Sequence, residues 1–217
     1  MIKHLAAYSN VLAAAVLLTG CQTAYYGAME SVGVHKREIM VDRVKDARDA
    51  QSDAKEEFKD ALTLFSEVVN FDGGDLEKTY SKLSKAFERS EKEAAAVQGR
   101  IDNVESVARA LFKEWRGELK QYSNENLRRE SKRQFEATEE QYEQLMDTMR
   151  SAAETMDPVL AAFRDQVLFL KHNLNSRAIA SIQTETARVE EDVARLIREM
   201  EASIAEADAF IKDLGVL

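Results

Sequence analysis

The sequence predicts an all-α fold, an elongated antiparallel bundle of three to four long helices with coiled-coil packing. Only 8 Gly and 1 Pro occur among the 217 residues, which is too few for the many tight turns of a β-sandwich, a β-barrel or a βαβ fold. Apolar residues recur at alternating steps of four and three over long stretches, and this spacing keeps one stripe of a helix facing its neighbours. We therefore expect residues 37–217 to form one elongated helical bundle domain.

A first long helix is predicted from about Arg37 to Asn70. Its apolar face is narrow and rich in alanine, which permits close approach of a neighbouring helix, and it comprises Ala47, Ala50, Ala54, Phe58, Ala61, Phe65 and Val68. The segment from Phe71 to Asp75 then supplies two glycines that end this helix, and Asp75 is suited to cap the next one. Because the connection is short, we expect the two helices to be antiparallel.

The strongest repeat lies between Leu76 and Tyr122. Reading alternately four and three residues ahead gives a seam whose members are Leu76, Tyr80, Leu83, Phe87, Ser90, Ala94, Val97, Ile101, Val104, Ala108, Leu111 and Trp115. Ser90 is the only polar residue before Glu118, through which the same steps continue to Tyr122. At a rise of 1.5 Å per residue, a helix over this stretch is roughly 70 Å long, which indicates an elongated molecule.

A third segment keeps its heptad through the one proline of the chain. At seven-residue intervals it places Phe135, Tyr142, Met149, Met156, Phe163 and Leu170. Proline removes a backbone donor and normally ends or kinks a helix. Because the register is the same on both sides of Pro158, we favour one helix kinked there over two separate helices.

The last helix is predicted from about Arg177 to Asp213, with Ser176 as its cap. Its apolar residues recur at eleven-residue intervals in two series: Ala178, Val189, Met200 and Ile211, and Ile182, Val193 and Ile204. An eleven-residue period favours a straight or slightly right-handed path. The mixture of periods favours a bundle of four long helices over a uniform two-stranded coiled coil.

Residues 1–20 have the features of a bacterial lipoprotein signal peptide. Lys3 precedes an apolar run from Leu5 to Leu18, which is shorter than the ~20 residues that span a bilayer. The sequence Leu18-Thr19-Gly20-Cys21 resembles the lipoprotein box, in which the signal is cleaved before the cysteine and the thiol is diacylated. An ordinary signal peptide with an incidental cysteine is the alternative. We expect a covalent acyl lipid on Cys21 and no other cofactor.

Residues 21–36 are predicted to be the acylated N-terminus and a tether. Tyr25 and Tyr26 suit the headgroup region of a membrane, and a spacer with incidental tyrosines is an equal alternative. Gln22 stands where an aspartate would retain a Gram-negative lipoprotein at the inner membrane. The expected location is therefore the periplasmic face of the outer membrane, reached through the lipid anchor.

The sequence lacks the motifs of the common catalytic and cofactor sites. It contains no glycine-rich phosphate loop, and neither His35 nor His172 has the Glu-x-x-His spacing of a di-iron bundle or the partners of a zinc site. Acylation of Cys21 leaves no thiol for catalysis. The net charge of -9 and the pI near 5.0 argue against nucleic acid as a partner. We expect no metal and no enzymatic activity.

Two groups of side chains are candidate binding surfaces. A basic cluster in this acidic chain, suited to lipid phosphates or to an acidic partner, comprises Arg128, Arg129, Lys132 and Arg133. An exposed first helical turn is the alternative for this cluster. An aromatic group at seam spacing, which we expect in the core in preference to a ligand pocket, comprises Phe112, Trp115, Tyr122 and Tyr142.

Two stretches of the chain, Val34–Gln51 and Phe163–Asn175, resemble a proteobacterial family of helical lipoproteins that is known only as a domain of unknown function. The resemblance extends over nearly the whole mature chain and includes the lipoprotein box. It implies no reaction, no ligand and no site residue.

These features together predict a lipid-anchored periplasmic protein of the cell envelope that acts as a non-enzymatic scaffold or partner-binding module. The expected partners are the membrane and an unidentified envelope protein, and the helical seams are compatible with a homo-oligomer. The alternative is a bundle that binds or senses a small apolar or cationic ligand in the periplasm.

Overall fold

The computed structural model describes Tyr25, Tyr26, Ala28, Met29 and residues 35–216. Within residues 35–216 the chain forms five helices: α1 (Lys36–Val69), α2 (Leu76–Glu118), α3 (Glu125–His172), α4 (Ser176–Gln183) and α5 (Thr186–Val216). The predicted all-α fold is therefore confirmed. The predicted signal peptide of residues 1–20 and the predicted acylation site Cys21 lie outside the described residues.

The four long helices form an antiparallel ring. Helix α1 packs between α2 and α5, and α3 packs between the same two helices on the opposite side. The short α4 lies against α1 and α3. We call the end of the bundle at which α1 and α3 begin the lower end, and the end that carries α4 and the α1–α2 connection the upper end. The chain thus runs up, down, up and down around one shared core.

The α1–α2 hairpin forms as the sequence predicts. Gly73 and Gly74 have φ angles of 146° and 109°, a backbone region that favours glycine, and the carboxylate of Asp75 accepts a hydrogen bond from the Lys78 amide at 3.0 Å. The buried residues of α1 include an unbroken series of four- and three-residue steps, namely Met40, Val44, Ala47, Gln51, Ala54, Phe58, Ala61, Phe65 and Val68. This narrow face keeps α1 close to α2.

Helix α3 runs through Pro158 as a single helix of 48 residues, so the prediction of one helix in preference to two is confirmed. Pro158 is exposed, while Met156 and Val159 beside it are buried. The proline ring therefore points away from the core, and the heptad continues on the inner face. At 1.5 Å per residue, α3 is roughly 70 Å long and sets the length of the bundle.

The prediction of one continuous last helix was wrong. The chain turns at Thr184 and Glu185, which separate α4 from α5, and Asn175, not Ser176, caps α4 through its side-chain oxygen. The hydroxyl of Thr184 donates to the Ser181 carbonyl at 2.8 Å, and the side-chain amide of Gln183 donates to the Val69 carbonyl at 2.9 Å. Side-chain hydroxyls compete for helix carbonyls, and the contact with α1 fixes α4 over the upper end.

The predicted eleven-residue period of the last helix was also wrong. The buried residues of α5 follow steps of four and three, namely Val189, Val193, Leu196, Met200, Ser203, Ala207, Phe210 and Leu214. Ile204 and Ile211, which belonged to the eleven-residue series, are only partly buried. Ser203 is polar and Ala207 is small, so counting large apolar residues alone missed the heptad that α5 shares with the other long helices.

Candidate functional site

The segment before α1 is attached to the side of the bundle. Tyr26 is 8% exposed and belongs to the hydrophobic core, and its hydroxyl shares a hydrogen bond of 3.0 Å with the Ser106 hydroxyl on α2. Met29 packs against the same core. This burial differs from both interpretations of Tyr26 in the predicted tether, since the side chain lies neither at a membrane surface nor in a free spacer. In the sequence, the i, i+3 spacing of Tyr26 and Met29 was the feature that indicated a shared apolar face before α1.

Tyr25 remains on the surface beside this contact. Its ring meets the Tyr26 ring edge to face with centroids 5.4 Å apart, and Arg43 Nη2 donates to its hydroxyl at 3.5 Å. Ser106 lies well inside α2 and Arg43 lies in the second turn of α1, so both tyrosines dock on the lower half of the bundle. The chain therefore leaves the bundle toward Cys21 from a fixed position.

Three contacts define the level at which α1 and α5 meet the other two helices near the lower end. Lys36 Nζ lies 3.1 Å from Glu114 Oε1, and the Gln141 amide donates to Asp213 Oδ2 at 2.9 Å. An ion pair between Arg116 and Glu139 joins α2 to α3 beside this level. Beyond it, within the part of the chain that the structure describes, only the end of α2, the connection and the start of α3 continue. We call residues 119–133 the hairpin tip.

The predicted basic cluster lies on the hairpin tip. Arg128, Arg129, Lys132 and Arg133 are all exposed. Each has a local polar partner: Glu125 is 2.6 Å from Arg128, Glu136 is 3.3 Å from Lys132, Glu130 pairs with Arg133, and the Asn126 side chain accepts from Arg129. Such exposed pairs contribute about 0–1 kcal/mol and are screened by salt. The guanidinium groups can therefore exchange these partners for an external anion at little cost.

Aromatic side chains fix the base of the hairpin tip. Phe135 meets Phe112 and Trp115 in edge-to-face contacts with centroids 5.7 and 5.6 Å apart, and the Trp115 indole donates to Ser131 Oγ at 2.9 Å.

Burial, with the nearby Glu105 carboxylate, raises the pKa of Tyr142 above its ordinary value. The core prediction is confirmed for Phe112 and is met in part by Trp115 and Tyr142, which pack against the core while partly exposed. It was wrong for Tyr122, which lies in the connection and is exposed.

A buried polar pair that sequence reasoning missed joins α1 to α5. Ser203 Oγ donates to Gln51 Oε1 at 3.0 Å, and both residues are 0% exposed. Gln51 Nε2 is buried with no hydrogen-bond partner in the structure. Both residues occupy seam positions of their helices, so a heptad count that admits polar residues would have found them. An unpaired buried amide costs free energy, and the pair ties the register of α1 to that of α5.

The structure has concave surfaces at both ends. An upper groove of about 720 Å³ lies beside the α1–α2 connection and is lined by Leu62, Thr63, Ser66, Glu67, Asn70, Phe71, Asp72, Gly73, Asp75 and Thr79. A smaller cleft of about 220 Å³ lies at the lower end between Trp115, Leu111 and Leu214. The upper groove is mostly open and the lower cleft is about half enclosed. Neither is the fully enclosed interior pocket expected for a bundle that carries a ligand. The predicted ligand site stays a prediction.

Across the described part of the chain, no group of three or more His, Cys, Asp or Glu side chains is placed to hold a metal ion. His35 precedes α1 and His172 ends α3, so the two histidines lie at opposite ends of the bundle. Among the helices that the structure describes, none combines the length and the apolar character needed to cross a membrane.

Comparison with known proteins gives a family and no activity. Residues 25–214 match the model of DUF2959, a protein family of unknown function, and because the match covers most of the chain, the chain belongs to this family. The matched range begins after Cys21, so the lipoprotein box lies outside it. No curated protein matches the sequence.

Proposed function

We propose that this member of the DUF2959 family is a lipoprotein whose acyl chains on Cys21 hold a non-enzymatic helical bundle at a membrane of the cell envelope. The sequence supports this through the apolar run that ends in Leu18-Thr19-Gly20-Cys21. Burying acyl methylenes contributes about 0.8 kcal/mol each, so that more than one chain anchors a protein stably. Gln22 supports the outer membrane as the destination in a Gram-negative host.

The docking of Tyr26 is the structural observation that carries the proposal. Only four residues separate Cys21 from Tyr26, and Tyr26 is buried against α2. Five residue steps at about 3.5 Å each extend no more than ~18 Å. An acylated Cys21 therefore keeps the lower half of the bundle close to the bilayer, which is the arrangement expected of a membrane-based scaffold.

The upper end is suited to a partner. Leu168 and Phe169 near the end of α3 are 54% and 40% exposed, and adjacent exposed apolar side chains are typical of a protein contact. They lie near the end of a helix that is roughly 70 Å long, far from Tyr26. The proposed scaffold would thus hold the membrane at one end and an envelope protein at the other.

Fractionation of cells that express the wild-type chain or the Cys21→Ser variant tests the proposal. We expect the wild-type protein in the outer-membrane fraction, released by detergent and not by salt, and the variant, whose apolar signal segment stays uncleaved, in the inner-membrane fraction. Photo-crosslinking from position 168 should then capture an envelope protein, whereas crosslinking from the exposed Pro158 position should not. An identical distribution of wild type and variant would contradict the anchor, and only self-contacts at position 168 would contradict the scaffold.

A further inference from the structure

The hairpin tip extends beyond the rest of the bundle. Contacts between Lys36 and Glu114, and between Gln141 and Asp213, show where α1 starts and α5 ends. Helix α3 begins at Glu125, nine residues before Gln134, which lines one cleft with Arg37 and Leu214. Its first residues therefore project roughly 14 Å past the ends of α1 and α5 at 1.5 Å per residue. Of the residues that the structure describes, the projecting part therefore lies lowest on the bundle.

The composition of the hairpin tip differs from that of the whole chain. Lys120 joins the four residues of the basic cluster, while Glu125 and Glu130 are the only acidic residues of the tip, in a chain whose net charge is -9. Tyr122 and Leu127 on the same tip are 38% and 57% exposed. Basic side chains beside an exposed tyrosine and leucine are the combination that binds the phosphates and the headgroup region of an anionic membrane.

The position of the tether brings this surface to a bilayer. Ser106, the partner of Tyr26, lies twelve residues before the end of α2, which is about 18 Å along the helix axis. The residues between Cys21 and Tyr26 extend no more than about the same distance. An acyl chain on Cys21 therefore reaches the bilayer when the bundle stands on its hairpin tip, or when it lies along the bilayer with the Tyr26 side facing the lipid.

We propose that the hairpin tip is a second membrane contact, in which Tyr122 and Leu127 enter the headgroup region and the basic cluster binds the phosphates of anionic phospholipids. The orientation of the bundle in this inference rests on the proposed anchoring at Cys21. The choice of anionic lipid as the partner rests on the charge and exposure of the tip. The local carboxylate partners of Arg128 and Arg133 are exchanged for lipid phosphates at the surface. The bundle is then held at two points, which restricts its tilt.

Vesicle co-sedimentation of residues 21–217 carrying Cys21→Ser tests the tip without the acyl anchor and without the apolar signal segment. We expect this protein to bind phosphatidylcholine vesicles that contain phosphatidylglycerol, to bind pure phosphatidylcholine vesicles at least tenfold more weakly, and to lose binding in high salt. Replacing the basic cluster by Arg128→Gln, Arg129→Gln, Lys132→Gln and Arg133→Gln should weaken binding at least tenfold, and Tyr122→Ser with Leu127→Ser severalfold.

The matched control is Leu168→Ser with Phe169→Ser, which removes an equal number of exposed apolar side chains from the upper end and should leave vesicle binding unchanged. Circular dichroism of every variant should show unchanged helix content. Absence of binding to the anionic vesicles, or equal binding by the cluster variant and its parent, would overturn the inference. Fractionation of the acylated wild type reports the anchor separately, since loss of the tip leaves Cys21 acylated.

Discussion

At the scale of single residues, two buried polar contacts have opposite effects on the stability of the fold. Tyr26 and Ser106 satisfy each other where the N-terminal segment meets α2, whereas Gln51 and Ser203 leave the Gln51 Nε2 group unpaired. A satisfied buried hydrogen bond contributes about 1 kcal/mol, while an unsatisfied buried group costs about 1–3 kcal/mol. The first contact therefore stabilises the attachment of the segment, and the second specifies register at a cost in stability.

Tyr26→Phe should lower the free energy of unfolding by about 1–2 kcal/mol, because the buried Ser106 hydroxyl loses its partner while the ring is kept. Urea unfolding of the Cys21→Ser chain, followed by circular dichroism, measures the change. Tyr25→Phe is the control, and it should change stability by less than about 0.5 kcal/mol because the Tyr25 hydroxyl is exposed. Equal effects of the two substitutions would contradict the burial of Tyr26.

Ser203→Ala should cost about 1–3 kcal/mol, since it leaves both polar groups of the Gln51 amide without a partner. Gln51→Met combined with Ser203→Ala should restore or exceed wild-type stability, because the unpaired amide is then absent and the volume of the side chain is similar. A double-mutant cycle by urea unfolding measures both effects. A double variant less stable than Ser203→Ala alone would contradict this account, and the exposed Ser151→Ala serves as control.

At the scale of helices, Pro158 lowers the stability of α3. It offers no backbone donor to the carbonyl four residues earlier, and proline in a helix interior is about 3 kcal/mol less favourable than alanine. Because Pro158 is exposed, no packing is lost when it is replaced. Part of the gain is cancelled by the greater freedom of the unfolded chain.

We therefore expect Pro158→Ala to raise the free energy of unfolding by about 1–2 kcal/mol, measured by thermal or urea unfolding. The neighbouring Asp157→Ala, also exposed, should change stability by less than about 0.5 kcal/mol. A destabilised Pro158→Ala variant would indicate that α3 needs the proline at this position, contrary to the continuous heptad on its inner face.

The heptads of α2 and α3 could be predicted from the sequence because large apolar residues mark most of their seam positions. For α1 the sequence predicted an alanine-rich face that omitted the buried Gln51. The path of the last two helices could not be predicted. In α5 the core also uses Ser203 and Ala207, whose side chains give no hydrophobic signal, and the break before α5 depends on a contact of Gln183 with the end of α1. Such contacts exist only once the helices have assembled.

At the scale of the whole molecule, the sequence identified the basic cluster and the lipoprotein box separately, and it could not show how they are placed. The distance between the two depends on how the four helices are aligned along the bundle axis. Contacts such as that of Lys36 with Glu114 give this alignment. The sequence also assigned Tyr26 to a tether, because two tyrosines before a helix give no indication of which surface they reach. Burial against Ser106 on α2, far away in the sequence, decides that question.

Small-angle X-ray scattering of the Cys21→Ser chain should give a maximum dimension of at least about 70 Å, the length of α3. The radius of gyration should exceed the ~17 Å of a compact globular domain of this length. Values that rise with protein concentration would show that the bundle associates with itself. A maximum dimension near 50 Å at low concentration would contradict the elongated bundle.

Mass spectrometry of the mature N-terminus, on protein purified from membranes, shows whether the chain is cleaved and acylated at Cys21. We expect an N-terminal peptide that begins at Cys21 and carries the mass of a diacylglyceryl group, and we expect Cys21→Ser to abolish both the cleavage and the added mass. A peptide that contains an unmodified Cys21 within a longer N-terminus, or one cleaved at another residue, would contradict the anchor.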